Sequence, residues 1–255
     1  MIFQIGKIKR SIRLFSQSNG KYLRARDLNT PPFYLKANQA VWEICAPDTA
    51  GSSSVYVEIV GDDIYKSNLW LKRLPSKPTI LDVGSNFGLF SCCIKIRFPK
   101  ASVTAIEPQP DMLRFLNLNA TAFDFKVIPK AVAEDNKPVL MNTSGDPTTS
   151  FVIDSPINAE LQLSPSTIVV EPISWQEVFQ GNTGMIDLLK CDCEGGERSL
   201  LSNSALLKRS RIIVMEYHFS HVDQTWVMER VKNAGFTVLS NSVGPYSGHF
   251  IAVQE

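Results

Sequence analysis

The sequence lacks any hydrophobic run that approaches the length of a transmembrane helix, about 20 consecutive apolar residues. It also lacks the basic excess that is usual in nucleic-acid-binding proteins, because its formal net charge is +1 over 255 residues. No long apolar stretch follows the first basic residues, so a secretory signal peptide is not indicated. We therefore expect a soluble, cytoplasmic protein that neither spans a membrane nor binds nucleic acid.

Cysteine is scarce and is not spaced for a structural metal site. The five cysteines include the adjacent pair Cys92 and Cys93 and the alternating pair Cys191 and Cys193. None of them shows the Cys-x-x-Cys spacing of a structural zinc site. We expect free thiols that pack as small hydrophobic side chains in a reducing compartment.

Acidic residues are absent from residues 1–26, which contain seven basic residues. The net charge of +1 therefore divides into +7 in this arm and −6 in the remaining chain. A basic arm can contact an anionic membrane surface, a phosphate-bearing substrate or a partner. Two other interpretations stay open, namely a solvated helix face and an Arg-rich transit peptide.

The pattern of the chain divides it into a lead-in region, residues 1–78, and a larger α/β domain, residues 79–255. In the lead-in region, the alternating segment Val55–Val60 predicts a strand. From residue 79, strand and helix patterns alternate, which predicts a doubly wound, mostly parallel sheet that ends with an antiparallel strand. Residues 134–170 are rich in Ser, Thr, Pro and Asn, and they predict an insertion of hairpins and loops at the active-site edge.

The densest signal is a strand, a glycine turn and the start of a helix between Ile80 and Gly88. The Gly-x-Asn-x-Gly turn lets the backbone approach a ligand, and ligands bind beyond the carboxyl ends of parallel strands. Glu107 ends the next strand, where a carboxylate can accept hydrogen bonds from a ribose diol. Asp82 would attract the ammonium group of S-adenosylmethionine and repel a pyrophosphate. We therefore expect S-adenosylmethionine as the cofactor, with a nicotinamide-dependent oxidoreductase as the alternative.

Titratable side chains cluster at two further strand ends. Because strand side chains alternate, Lys190, Asp192 and Glu194 share one face. His218 ends the following strand, and imidazole titrates near neutral pH, as a general base requires. Burying such a charged set is costly unless it is paired. We therefore predict that these four residues form the catalytic group.

A divalent cation is a second interpretation of the same cluster. Asp192, Glu194 and His218 could supply its ligands, but we expect no obligatory metal. The remaining histidines, His221 and His249, have no supporting context in the sequence.

Several segments fall in the order seen in the FkbM family of methyltransferases, and the sequence resembles that family from Tyr65 to His218. The segments are Asp82 to Gly88, Glu107 to Pro110, Asn117 to Asn119, Ile186 to Glu197 and Glu216 to His218. The most distinctive of them is the Lys-x-Asp-x-Glu-Gly-x-Glu motif that begins at Lys190. The sequence departs mildly from the family pattern at three positions. Ser85 stands where Ala is common, and Cys191 and Cys193 stand where aliphatic residues are common.

The resemblance implies a class I methyltransferase fold, S-adenosylmethionine as methyl donor and an oxygen acceptor on a sugar or small natural product. Carried over by position, the cofactor-binding residues are Asp82, Gly84, Asn86 and Gly88 at the methionine part, Glu107 at the ribose and Asn119 near the adenosine. A non-catalytic module that keeps the fold is the remaining alternative. The regions before Tyr65 and at residues 134–170 match no motif, so the acceptor is not identified.

Overall fold

The computed structural model describes residues 2–18, 31–37, 39–133, 138–146, 148, 151–152, 165–180, 184–193 and 195–254. The helices are α1 (Ile2–Gln17), α2 (Ala50–Tyr56), α3 (Leu89–Arg97), α4 (Pro110–Phe123), α5 (Trp175–Gln180), α6 (Glu197–Ser202), α7 (Ser204–Leu207) and α8 (Gln224–Asn233). The strands are β1 (Phe33–Ala37), β2 (Ala40–Ile44), β3 (Thr79–Val83), β4 (Ser102–Ile106), β5 (Lys126–Ile128), β6 (Ala131–Ala133), β7 (Val139–Asn142), β8 (Phe151–Val152), β9 (Thr167–Val170), β10 (Pro172–Ser174), β11 (Leu188–Cys191), β12 (Ile212–His218), β13 (Thr237–Val243) and β14 (Ser247–Val253). A π-helical segment, Val57–Asp62, continues α2.

A seven-stranded sheet forms the centre of the molecule, in the order β13-β14-β12-β11-β3-β4-β5. The strands from β12 to β5 pair in parallel. Strand β14 runs antiparallel to both of its neighbours. The predicted doubly wound sheet with an antiparallel strand near the C-terminus is therefore confirmed. Small separate sheets are formed by β1-β2, β10-β6 and β8-β7-β9.

Both faces of the sheet are covered, which explains why its parallel strands are almost continuously apolar. Leu81 and Leu189 pack in one cluster with α5, α6, α7 and α8. Their neighbours Ile80 and Leu188 point to the opposite face and pack with α3 and with Trp70. This alternation leaves the carboxyl ends of the strands as the open edge of the sheet.

The described residues among the first 60 share a hydrophobic core with the central sheet. Leu14 of α1 and Phe33 of β1 pack with Phe87 and Leu89 at the start of α3. Charged contacts add to this packing: α1 contacts the π-helical segment and the residue after it, through Arg10 with Asp62 and Arg13 with Asp63. Two basic residues of the N-terminal arm therefore have partners within the chain.

The predicted strand at Val55–Val60 is wrong, because this segment is helical. Thr49 caps α2 by accepting a hydrogen bond from the backbone N–H of Ser52, which satisfies one free donor at the helix start. Val57 and Val60 are buried on one side of the π-helical segment. The β-branched residues suggested a strand, whereas the cap and the tertiary packing select a helix.

Two other boundaries differ from the sequence-based expectation. The single strand expected at residues 125–132 is divided into β5 and β6, which pair with different strands. The helix expected at residues 197–207 is divided at Asn203, whose side chain caps α7 by accepting from the N–H of Leu206. All five cysteines are free thiols, as predicted. None of the helices in the described ranges combines the length and the apolar character that crossing a membrane requires.

Candidate functional site

A cavity of about 340 Å³ opens at the carboxyl ends of the central strands. Five of the sequence-predicted residues line it, and these are Gly84, Asn86, Glu107, Lys190 and Asp192. The N-terminal region adds Glu58 and Tyr65 to the wall, and the region after β6 adds Met141 and Thr148. The structure therefore brings the predicted cofactor turn and part of the predicted catalytic group into one space.

The glycine turn after β3 forms the floor of the cavity. Gly84 has a φ of 71°, and a Cβ built there would lie 1.6 Å from the carbonyl oxygen of Asp192. Only glycine can occupy such a position. The N–H of Gly84 donates to the carbonyl of Ile106 at 3.0 Å, and the carbonyl of Gly84 accepts from Lys190 Nζ at 2.5 Å. Neighbouring strands on both sides thus fix the turn.

Glu107 presents a held carboxylate to the cavity. Its Oε2 accepts from the N–H of Asn86 at 2.8 Å, and its Oε1 accepts from the N–H of Gln109 at 2.9 Å. Burial raises the pKa of Glu107 to about 6, although the two N–H groups act in the opposite direction. Each carboxylate oxygen keeps a further lone pair, so the group fits a ribose diol.

Asp82 lies beneath the turn, is fully buried and is not part of the cavity wall. Ser91 Oγ donates to Asp82 Oδ2 at 2.7 Å, and Lys190 Nζ lies 3.4 Å from Asp82 Oδ1. In this position the carboxylate contacts the lysine that holds the Gly84 carbonyl. Direct contact between Asp82 and a ligand ammonium group stays a prediction.

Two more residues of the predicted cofactor set lie outside the wall. Asn119 is buried, and its Nδ2 donates to the carbonyls of Cys45 and Phe87 at 2.8 and 2.7 Å. It therefore joins the N-terminal region to the glycine turn. Gly88 caps α3 with a φ of 86°, and a Cβ there would lie 2.7 Å from Leu116 Cδ1. Both residues support the shape of the turn from behind.

The predicted catalytic group is only partly assembled. Lys190 and Asp192 lie side by side, with Lys190 Nζ 3.7 Å from Asp192 Oδ2, and the hydroxyl of Tyr65 donates to the same oxygen at 3.0 Å. Burial alone would lower the pKa of Lys190, but Asp82 and Asp192 raise it, so the amine is charged. Glu194 lies outside the described residues.

His218 does not line the cavity. Its Nδ1 lies 3.1 Å from Glu197 Oε1, and its Nε2 lies 3.6 Å from Glu216 Oε1. The ring therefore lies behind Glu216, which itself faces the cavity. The prediction that His218 acts as the base remains untested by this arrangement.

Sequence reasoning missed the contact between Glu216 and His249. His249 Nε2 lies 2.9 Å from Glu216 Oε2, because the two residues are opposite each other in the antiparallel pair β12-β14. Burial would raise the pKa of Glu216, but the hydrogen bond and charge of His249 lower it to about 2. Burial by itself would lower the pKa of His249, but the hydrogen bond and negative charge of Glu216 raise it. The register of the last strand was the signal that could have identified this pair.

The described residues include one group with metal-ligand spacing. Ligand atoms of Asp192, Glu216 and His218 lie within 4.8 Å of one another. Each of the two carboxylates already has a basic neighbour, because Lys190 lies beside Asp192 and His249 beside Glu216. Lys190 thus supplies positive charge to the site from the protein itself.

Residues 82–243 match the model of the methyltransferase FkbM domain. The methyltransferase sdnD of Sordaria araneosa is 39% identical over 70 residues, which are 28% of this chain and 26% of that protein. The hexuronic acid methyltransferase AglP of Haloferax volcanii is 31% identical over 155 residues, which are 59% of this chain and 60% of that protein. The matches thus span less than two thirds of each of these relatives.

Among solved structures, the chain is similar to a precorrin-6y C5,15-methyltransferase from Geobacter metallireducens GS-15. The identity is 12%, the TM-score is 0.46, and the match covers 89% of this chain and 100% of that chain.

The topology of the sheet is that of a class I methyltransferase. The features that agree are the strand order, the antiparallel β14 next to the sheet edge and the glycine turn after β3. The domain match extends over more than half of the chain. The chain therefore belongs to the FkbM methyltransferase family, whose class I fold uses S-adenosylmethionine as methyl donor.

Proposed function

We propose that the protein transfers the methyl group of S-adenosylmethionine to a hydroxyl oxygen of a sugar or a small natural product. The observation that carries this proposal is the set of ionisable groups beside the glycine turn, namely Lys190, Asp192 and Glu216. An alcohol must lose a proton when it accepts a methyl group, so its site needs groups that bind and remove that proton. A relative named as a hexuronic acid methyltransferase supports a carbohydrate acceptor.

In this proposal the glycine turn and Glu107 hold the cofactor. Gly84 and Asn86 give backbone access at the floor of the cavity, and Glu107 accepts the ribose hydroxyls. The bound cofactor supplies a methyl group already activated by a sulfonium sulfur. The protein's task is then to position the acceptor and exclude water. Because the chain belongs to a family that uses S-adenosylmethionine, a nicotinamide cofactor is not favoured.

Asp192 positions the acceptor. Tyr65 and Lys190 restrain its carboxylate, so one oxygen is held in place while the side chain faces the cavity. We expect Asp192→Ala to abolish turnover while the protein stays folded, and the same for Glu194→Ala. Glu43→Gln, an exposed change on β2, is the control. Normal turnover by Asp192→Ala would show that Asp192 does not belong to the catalytic group.

The first experiment measures the thermal midpoint of the purified protein with S-adenosylhomocysteine, with NAD and without ligand. A ligand at 100 times its Kd adds about 2.7 kcal/mol of stability, which is a visible shift. We expect a shift with S-adenosylhomocysteine alone. A panel of nucleotide sugars, glycolipid precursors and simple carboxylic acids then tests the acceptor. Methylation of acids but not of hydroxyl groups would contradict the O-methylation of an alcohol.

Activity in excess EDTA tests whether a divalent metal is required. Lys190 already places positive charge beside Asp192, and His249 already contacts Glu216. We therefore expect the enzyme to keep its activity after metal is removed. Loss on chelation, restored by added Mg²⁺, would assign the cluster of Asp192, Glu216 and His218 to a metal instead.

We also propose that three parts of the chain have different structural roles. Residues 79–255 form the methyltransferase domain, residues 1–78 extend it, and residues 134–170 form an insertion at the active-site edge. Thr148 and Met141 of that insertion, like Tyr65 of the extension, contribute to the cavity wall. Parts outside the cofactor motifs therefore shape the space in which the acceptor would bind.

A further inference from the structure

One acidic side chain of the cavity wall comes from the N-terminal region, far in sequence from every predicted site residue. Glu58 belongs to the π-helical segment Val57–Asp62 and lines the cavity together with Asp192 and Glu216. The segment places Val57 and Val60 in the core and leaves Glu58 exposed between them. Irregular π-helical turns often mark functional sites.

The position of Glu58 is fixed from behind. Leu14 of α1 packs against Gly61, where an added Cβ would lie 3.2 Å from Leu14 Cδ2. The ion pair between Arg10 and Asp62 secures the end of the segment. The N–H groups of Asp63 and Ile64 both donate to the carbonyl of Glu58. The backbone of Glu58 is therefore held while its side chain faces the cavity.

The acids around Glu58 already have partners. Asp192 accepts from Tyr65, Glu216 contacts His249, and Glu107 accepts from two backbone N–H groups. Among the residues that the structure describes, no hydrogen bond or ion pair engages the Glu58 carboxylate. It is thus the carboxylate of this wall that can take up a proton without breaking an existing contact.

We propose that Glu58 is the general base that removes the proton of the acceptor hydroxyl, an assignment that rests on the proposed O-methylation. The hydroxyl oxygen forms a bond to the methyl carbon while the bond from that carbon to the donor sulfur breaks. The hydroxyl proton moves to a Glu58 carboxylate oxygen and is later released to water. The charges balance, because the positive sulfonium and the carboxylate become a neutral thioether and a neutral carboxylic acid.

The surroundings of Glu58 suit this role. Burial raises its pKa, and so do the charges of Glu216 on β12, Asp192 after β11 and Asp62 on its own segment, whereas His249 on β14 lowers it. The basic residues Arg10 and Arg13 of α1 are paired with Asp62 and Asp63. A base whose pKa lies closer to the working pH accepts a proton more effectively in the transition state.

A binding experiment tests the placement of Glu58 without an acceptor. Sinefungin is an S-adenosylmethionine analogue in which a carbon bearing an amino group replaces the methylated sulfur, whereas S-adenosylhomocysteine has no such charge. We would measure the Kd of both ligands by calorimetry for the wild type, Glu58→Gln and the surface control Glu43→Gln. The preference for sinefungin should fall up to about fivefold in Glu58→Gln, as expected for the loss of one solvent-exposed charge pair. It should not change in Glu43→Gln.

The pH dependence of this preference gives a second readout. In the wild type, the preference should decline as pH falls through the raised pKa of Glu58, and Glu58→Gln should abolish that decline. Glu107 contacts a part common to both ligands, so its titration cancels in the ratio. With an acceptor from the panel, Glu58→Gln should lower kcat by about 100-fold or more and leave the Kd of S-adenosylhomocysteine unchanged.

The outcomes separate this proposal from the proposed function. If Glu58→Gln binds S-adenosylhomocysteine normally and keeps both the wild-type preference for sinefungin and its pH dependence, the assignment of Glu58 is overturned and the proposed function stands. If the wild type methylates only acceptors that have no hydroxyl group, the proposed function is overturned, whether or not Glu58→Gln changes the preference for sinefungin over S-adenosylhomocysteine.

Discussion

Gly84 occupies a position that excludes every side chain, and this makes it the sharpest test of the turn. The positive φ costs a non-glycine residue about 1–3 kcal/mol, and a Cβ would also collide with the Asp192 carbonyl at 1.6 Å. We expect Gly84→Ala to lower the free energy of unfolding by more than the φ term alone and to abolish binding of S-adenosylhomocysteine. Urea unfolding and calorimetry measure the two effects.

Gly235 supplies the matched control for that substitution. Its φ is 88°, but an added Cβ would meet nothing within 4 Å. Gly235→Ala should therefore cost only the backbone term, about 1 kcal/mol, and should leave ligand binding unchanged. Equal losses in both variants would mean that the close approach between the turn and Asp192 contributes nothing.

Glu107 predicts opposite pH effects on ligand binding and on folding. Its pKa of about 6 lies above the ordinary 4.5 because of burial. The ribose hydroxyls need the ionised form, so the affinity for S-adenosylhomocysteine should fall as pH drops below about 6, by at most about tenfold per unit. The ligand-free protein behaves in the opposite way. There the raised pKa stabilises the folded state at low pH, and this contribution is lost as pH rises from 4.5 through 6.

Glu107→Gln should bind the ligand weakly at neutral pH and lose most of this pH dependence. Calorimetric Kd values for both proteins at about pH 5 and about pH 7.5, on either side of the shifted pKa, check the prediction. A wild-type affinity that is constant across that interval would show that Glu107 does not contact the ribose.

The individual residues show where sequence reasoning reaches its limit. Gly84 and Glu107 line one cavity, because strand ends of a parallel sheet meet at one edge, and their contact with the cofactor stays a prediction. Asp82 is the residue before the last residue of β3. It lies below the turn because the parallel register of β3 and β11 sets it beside Lys190. Glu58 and His249 enter the site from elements whose packing no local motif encodes.

At the scale of elements, Asp146, which follows β7, contacts the N-terminus of α2. Its Oδ2 accepts from the N–H of Gly51 at 2.7 Å, and its Oδ1 accepts from Thr49 Oγ1 at 3.0 Å. In addition, Asn86 Nδ2 of the cofactor turn donates to the carbonyl of Thr148 at 3.3 Å. Asp146 and Thr148 are thereby held at the cavity that Thr148 helps to line.

Asp146→Ala should therefore weaken binding of S-adenosylhomocysteine mainly by speeding its dissociation. A hydrogen bond to a charged group is worth about 1.5–3 kcal/mol, and part of this should appear as a several-fold rise in the dissociation rate. Stopped-flow measurements compare this variant with Glu229→Ala, an exposed change on α8. Identical dissociation rates in the two variants would show that the Asp146 contacts do not retain the ligand.

Elements with strong local signals were predicted well, and those decided by packing were not. The strand β3 and the glycine turn follow from a buried apolar run and its breaker. The segment Val57–Asp62 became helical because Thr49 caps α2 and because Leu14 covers Gly61. The cap joins residues only three positions apart, but the contact between Leu14 and Gly61 is not visible in a window of sequence, since the two residues lie more than 40 positions apart.

On the scale of the whole molecule, the N-terminal region and the sheet domain are parts of one core. Leu14, Phe33 and Ile44 pack against Phe87 and Leu89, which flank the cofactor turn. Asn119 adds hydrogen bonds between Cys45 and Phe87. The region that supplies Glu58 and Tyr65 therefore cannot separate from the sheet without exposing apolar surface around the turn.

We accordingly expect the full chain to unfold in one calorimetric transition, which S-adenosylhomocysteine shifts as a whole. Leu14→Ala should lower the free energy of unfolding by about 2–5 kcal/mol, as for other buried leucines, because the side chain is fully buried. Ile12→Ala, on the same helix but 62% exposed, should change it little. Since α1 holds the segment that carries Glu58, the single transition of Leu14→Ala should occur at a lower temperature but still respond to the ligand. Two transitions, of which the ligand shifts one and Leu14→Ala the other, would instead show two independently folding units and would detach the N-terminal region from the site.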